Sequence, residues 1–228
     1  MSYKDAYAEQ IERYFYDLEN RIIADIVRRI RKTGEITSTA DYQIGRLAVL
    51  GYSSADIEDA IKSALGATYP QMFELYDKVA CWEYVRNKKL YEQINAEFIP
   101  FEDNAWLQNL LRAVKQQTKG TLQNFAQTMG VVDTVNGQMT FLPLTQFYQK
   151  TLDAAVLDIA SGAFDYNSVL KRTVATLSKS GIRTIDYASG YTSRLPVAVR
   201  RAVMTGVSQL TGEISEYNAE KLGTDHFE

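Results

Sequence analysis

Seven apolar residues, Tyr7, Ile11, Phe15, Leu18, Ile22, Ile26 and Ile30, recur at intervals of three and four along the start of the chain. A strand alternates every second residue and cannot gather such a set on one side, whereas a helix of 3.6 residues per turn aligns all of them. Tyr3 to Lys32 is therefore predicted as one long helix whose apolar stripe must find a partner. Asp5, Glu9, Glu12, Asp17 and Glu19 crowd its first half, and Arg28, Arg29, Arg31 and Lys32 its last turns, the order that the helix dipole favours. Gly34 ends it. The Arg28–Lys32 run is read as a solvated C-terminal turn in preference to a nucleic-acid patch.

The same period continues in shorter pieces. Ser38 caps a helix that stops at Gly51, and Ser53 caps another, carrying Ile57, Ile61, Ala64 and Leu65, that Gly66 closes. Pro70 fits the first turn of a helix running to about Asn95, with Met72, Leu75, Val79 and Trp82 widening its apolar arc and Cys81 lying beside that arc as a small buried residue. Ile99-Pro100-Phe101 breaks the pattern. Trp106, Leu107, Leu110, Leu111 and Val114 resume it, with Gly120 marking a kink or break. Asn136-Gly137 between two β-prone runs is a hairpin signal, and such a hairpin needs helices or another strand to be stable. Helices then follow over Leu144–Ala160, from Asn167 or Ser168 to Gly181, and from Pro196 to Leu222. In the last of these, Arg200, Arg201, Glu213 and Glu216 point outward, and Gly206 and Gly212 imply close packing by a neighbour. Between the last two, Ile182–Tyr187 is extended and Ser189–Ser193 forms a turn.

The fold class that follows is mainly α: multi-helix, bundle-like lobes with one β-hairpin at about 131–142 and short strands near 182–195 and 224–228. The expected organisation is an N-terminal helical region over 1–130, the hairpin at 131–142 as a boundary, and a C-terminal helical region over 143–228 that leads into a further domain.

Composition narrows the function classes. A lone cysteine, Cys81, rules out an intrachain disulfide and a paired-cysteine zinc site, and the lone histidine, His226, is far from it in sequence. No phosphate-cradling glycine loop occurs. Carboxylate neighbours such as Glu58 with Asp59 read as solvated surface. No catalytic, cofactor-binding or metal-ligating residue is therefore assigned, no cofactor is expected, and no run is apolar enough for a membrane span. A net charge of −3 exerts no global pull on nucleic acid, but Tyr166–Thr205 holds seven cations against Asp186, and Glu213–Glu228 is acidic. The 15 tyrosines read first as helix-packing residues and second as binding surface.

The runs Ser161-Gly162-Ala163-Phe164-Asp165-Tyr166, Ser180-Gly181-Ile182-Arg183-Thr184-Ile185-Asp186-Tyr187-Ala188-Ser189-Gly190 and Val197-Ala198-Val199-Arg200-Arg201-Ala202-Val203-Met204-Thr205-Gly206-Val207 resemble the tailed-phage minor capsid protein 2 family. The resemblance implies a component of the virion or procapsid, assembled in the host cytoplasm, associated with the portal or inner capsid, and without defined catalytic residues in this helical part. In that family the segment like Gly223–Glu228 leads into a region with histidine, Gly-Ala-Arg and Trp-Gln-Gly signatures, so Thr224–Glu228 is expected to open a further element.

Three readings follow. The first is a structural and assembly protein that binds portal protein, major capsid protein or both, and itself forms homo-oligomers. The second is an internal head protein that contacts DNA through Lys171, Arg172, Arg183, Arg194, Arg200 and Arg201. The third is a helical scaffold for an enzymatic C-terminal domain.

Overall fold

The computed structural model describes residues 3–33, 53–135, 138–160, 166–186 and 188–223. Helix α1 is Tyr3–Thr33, α2 is Ser53–Val85, α3 is Lys88–Gln93 and α4 is Ala105–Gln127. Strands β1 (Met129–Val135) and β2 (Gln138–Pro143) follow, then α5 (Leu144–Ala160) and α6 (Tyr166–Ser180). Strands β3 (Arg183–Ile185) and β4 (Thr192–Arg194) precede the final helix α7 (Leu195–Leu222). The protein is mainly α with a small antiparallel sheet, as the sequence predicts. The helix expected over 38–51, the Asn136-Gly137 turn and the strand near 224–228 lie outside the described residues.

The chain divides into two compact units. The first draws on Met1–Glu12, Gly66–Gln123 and Val199–Glu228, and its described residues form helices and the turns and loop that join them. Its core joins Ile11, Met72, Leu75, Val79, Leu107 and Val203 to three fully buried tyrosines, Tyr76, Tyr84 and Tyr91. A buried phenol must be hydrogen-bonded, and each of these is. Tyr76 Oη donates to the carbonyl of Val203 at 3.0 Å and lies 3.0 Å from Thr118 Oγ1. Tyr84 donates to the carbonyl of Ile99 at 2.9 Å, and Tyr91 to Asn218 Oδ1 at 3.0 Å. These long-range bonds tie α2, α3, α4 and α7 together through polar tips at the ends of large apolar rings.

The second unit draws on Arg13–Leu65 and Asn124–Ala198. Its sheet has the order β2-β1-β3-β4, all neighbours antiparallel. The hairpin register sets Val135 opposite Gln138, which leaves the two-residue connection predicted from Asn136-Gly137. The hairpin gains its third strand where Met129 and Gly130 pair with Thr184 and Arg183. Thr128 and Thr184 hydroxyls meet at 2.6 Å beside that seam, and Ser180 Oγ accepts the Val132 amide at 2.8 Å. Phe15, Leu18, Ile22 and Ile26 of α1 are buried in this unit, as are Val131, Leu177, Ile182 and Leu195.

Several expectations are corrected. Gly66 does not close a helix and Pro70 does not open one: α2 runs unbroken through both. Both residues are exposed, so the Gly66 carbonyl that Pro70 cannot bond lies on the solvent side and stays hydrated. A glycine stop requires left-handed geometry, which Gly181 and Gly223 adopt after α6 and α7 (φ 62° and 64°) and Gly66 does not. Gly120 does not break α4. The helix predicted from Pro70 to Asn95 is instead interrupted after Val85 and ends at Asn95, which itself turns left-handed (φ 55°).

Candidate interaction surface

In the first unit, four apolar side chains remain exposed within residues 82–94: Trp82, Val85, Leu90 and Ile94. Trp82 was expected in the buried arc of its helix, but it is 52% exposed. At 100° per residue it lies about 120° around α2 from the buried Tyr76, just beyond the packed arc. The Arg86 guanidinium lies over the Trp82 indole at 5.0 Å, and the Lys4 ammonium at 5.9 Å. Arg86 is held there by the carboxylate of Glu83 at 2.5 Å. Glu83 is itself buried and accepts from Ser215 Oγ at 3.3 Å. A buried acid thus anchors the cation that covers one side of an exposed indole. Tyr3 is also exposed nearby in charge terms: burial, then the Glu83 carboxylate, pushes its hydroxyl pKa up against the opposing pull of Lys78. Cys81 is only half-buried, and burial followed by the charge of Glu102 pushes its thiol up, the opposite of an activated thiolate.

The six cations singled out in the sequence fall in both units, and three of them pair with carboxylates of this chain. In the second unit, Arg194 donates to Glu19 Oε1 at 3.0 Å, and the Ile182 amide donates to the same oxygen at 3.1 Å. Glu19 is only 4% exposed. A Cβ on Gly181 would stand 2.7 Å from both Glu19 Oε1 and Arg194 Nε, so the chain passes this ion pair at a distance only glycine allows. Arg172 pairs with Asp158. Arg183 donates to the Ser180 carbonyl at 3.2 Å and to Thr192 Oγ1 at 3.5 Å, bracing the turn between α6 and β4. In the first unit Arg200, expected to point outward, instead spans Asp5 at 3.2 Å and Glu12 at 3.4 Å. Lys171 and Arg201 are exposed.

The turn expected over Ser189–Ser193 lies earlier, since Thr192–Arg194 is strand β4. Asp186 accepts from the Ala188 amide at 2.9 Å and from Ser189 Oγ at 2.9 Å, and Gly190 closes it with φ 70°. The Ser189 hydroxyl bond, then the Ala188 amide, holds the Asp186 carboxyl below its usual value. Tyr191 at the turn's end is 58% exposed.

Among the described residues no group of three His, Cys, Asp or Glu side chains is placed to hold a metal ion. No helix among them is long and apolar enough to cross a membrane. The described surface of the first unit offers aromatic, apolar and charged contact area. Comparison with curated proteins and with solved structures gives no match. The family model described as Phage minor capsid protein 2 matches residues 2–228, and the chain belongs to that family: it is a structural minor capsid protein of a phage virion.

Proposed function

We propose that this chain acts by non-catalytic protein–protein contact at the portal vertex or on the inner face of the head, binding portal protein, major capsid protein or both. The observation that carries this reading is the exposed indole of Trp82, braced by Arg86 and flanked by Val85, Leu90 and Ile94. Tryptophan and arginine dominate binding hot spots because they bury much area while losing little conformational freedom. A tryptophan already held in place by a buried carboxylate loses still less on docking. DNA contact is the weaker reading: Arg172, Arg194 and Arg200, half of the cations assigned to it, are engaged by carboxylates of this chain. A phosphate-binding stripe depends on cations free to displace counterions.

The test is co-purification of the chain with portal and with major capsid protein, together with cryo-microscopy of assembled heads. Wild type is expected to be retained, and Trp82→Ala with Ile94→Ser to lose retention while keeping its helical circular dichroism. Heads that show no density for the chain, and no retention by either partner, would overturn the proposal.

A further inference from the structure

Two outward faces of the first unit carry opposite charge at the same spacing. On α4, Arg112, Lys115 and Lys119 stand at i, i+3 and i+7. On α7, Glu213, Glu216 and Glu220 repeat that interval. At 100° and 1.5 Å per residue each trio lies within an arc of about 60° and spans about 10.5 Å. Laid parallel, the trios superimpose pair for pair.

The basic trio is built rather than incidental. Lys119 lies over the Tyr69 ring at 5.3 Å and Lys115 over the Phe73 ring at 5.4 Å, so two aromatic faces of α2 hold the ammonium groups in place. Lys115 also pairs with Asp77 at 2.6 Å, so the charge that the row leaves to a partner comes mainly from Arg112 and Lys119. Arg112 is oriented by Asn109 Oδ1 at 3.1 Å. Beside this row runs a cleft of about 380 Å³, lined by Phe73, Asp77, Gln108, Leu111 and the basic trio among others. The buried Tyr69 hydroxyl has no hydrogen-bond partner among the described residues. The acidic trio is fully outward, and among the described residues its carboxylates have no cation within ion-pair distance.

The glycines add an independent observation. Gly120 follows Lys119, and Gly212 precedes Glu213. Both lie inside long helices, where glycine weakens the helix, and both are exposed with no atom of this chain within 4 Å of where a Cβ would sit. Nothing within the chain uses the close approach they permit. In the parallel superposition they stand at opposite ends of the charged row and off its axis, about 110° and 70° around their helices from its centre, so they flank the contact rather than line it.

We propose that the chain self-associates head to tail, the Arg112–Lys115–Lys119 row of one copy receiving the Glu213–Glu216–Glu220 row of the next. Because the two faces differ, the contact is heterologous and repeats from copy to copy, closing into a ring where the rotation allows. The contact is independent of the Trp82 surface: loss of self-association leaves portal or capsid binding intact, and the two failures are told apart by separate assays.

The test is sedimentation velocity of the full chain across protein concentration and ionic strength. Wild type is expected to associate, with affinity falling about tenfold or more as salt rises from roughly 0.05 M to 0.5 M. Arg112→Glu with Lys119→Glu, and separately Glu213→Lys with Glu220→Lys, should each be monomeric with unchanged helical circular dichroism. Mixing the two variants should restore association, as should combining all four substitutions in one chain. Wild type that stays monomeric at low salt, or variants that associate as wild type does, would overturn it. So would a monomer that shifts DNA in a gel through Arg112 and Lys119, since that would assign the row to phosphate instead.

Discussion

Gly206 of α7 faces the hydroxyl of Tyr76 so closely that a Cβ there would stand 2.1 Å from Tyr76 Oη and 3.0 Å from Thr118 Oγ1. The buried phenol, the threonine and the Val203 carbonyl can form their network only because that position carries no side chain. Gly206→Ala is expected to destabilise the protein by about 1–3 kcal/mol, the range for overpacking a filled core. Gly212→Ala, on the same helix with open space around it, should instead stabilise by about 0.5–1 kcal/mol. Urea denaturation of the two variants side by side, at salt high enough to keep the chain monomeric, checks the opposite signs.

Tyr76 also sets an alkaline limit. Burial raises its pKa from 10.0 to about 12, against the smaller lowering by its bond to Thr118. A folded-state pKa above the unfolded one means the contribution is complete below pH 10.0 and is lost as pH climbs from there through about 12. Within that window the slope from this one group approaches about 1.4 kcal/mol per pH unit. Tyr76→Phe should reduce the alkaline slope measured by unfolding between those pH values, while lowering stability near neutrality through the lost hydrogen bonds.

The Glu19–Arg194 pair predicts a coupled response. Arg194→Ala leaves a buried carboxylate with the Ile182 amide as the one remaining donor to Oε1 among the described residues, and should cost about 2 kcal/mol, below the full range for a buried pair because Arg194 is itself partly exposed. Glu19→Gln, which keeps an acceptor for that amide, should cost less. A double-mutant cycle is expected to return a coupling of about 1 kcal/mol or more. Additive losses would show that the two side chains act separately.

Asp186 predicts an acid response confined to its turn. Its carboxyl is held below the ordinary 3.8 by Ser189 and the Ala188 amide. The contribution is therefore present above that ordinary value and is lost as pH falls through the lowered one. Asp186→Ala should speed hydrogen exchange at Ala188 near neutral pH. In wild type the same amide should lose its protection only in strong acid.

Much of the architecture was legible because it is periodic. The α1 stripe, the α5 and α7 spans and the hairpin around Asn136-Gly137 rest on local patterns that tertiary contacts did not override. The pairing of β1 with β3 was not legible in detail, since Met129 and Gly130 meet Thr184 and Arg183 only after the chain has passed through all of α5 and α6. Pro70 misled because a proline is tolerated inside a helix when the carbonyl it frees faces water. Glu19 was read only as one of the acidic residues that suit the dipole of α1, yet it stands four residues after Phe15 and three before Ile22, on the buried stripe; that position was the available signal. The binding surface was the least legible part. Trp82 has the period of a core residue, and only the packing around it decides that it stays outside. The tyrosines divide between the two readings: Tyr76, Tyr84 and Tyr91 are wholly interior as helix-packing residues, while Tyr3, Tyr16 and Tyr191 remain outside.

The two tryptophans occupy unlike surroundings: Trp106 is stacked on Tyr217 with centroids 4.2 Å apart, and Trp82 lies in the open under Arg86 and Lys4. The molecule thus carries its own pair of optical reporters. Emission from Trp82 should be red-shifted and readily quenched by iodide, which the neighbouring cations attract, whereas Trp106 should be bluer and better shielded. Docking at the Trp82 face would then register as a blue shift with loss of quenching, and loosening of α7 from α4 as a change in the Trp106 signal, each without any label.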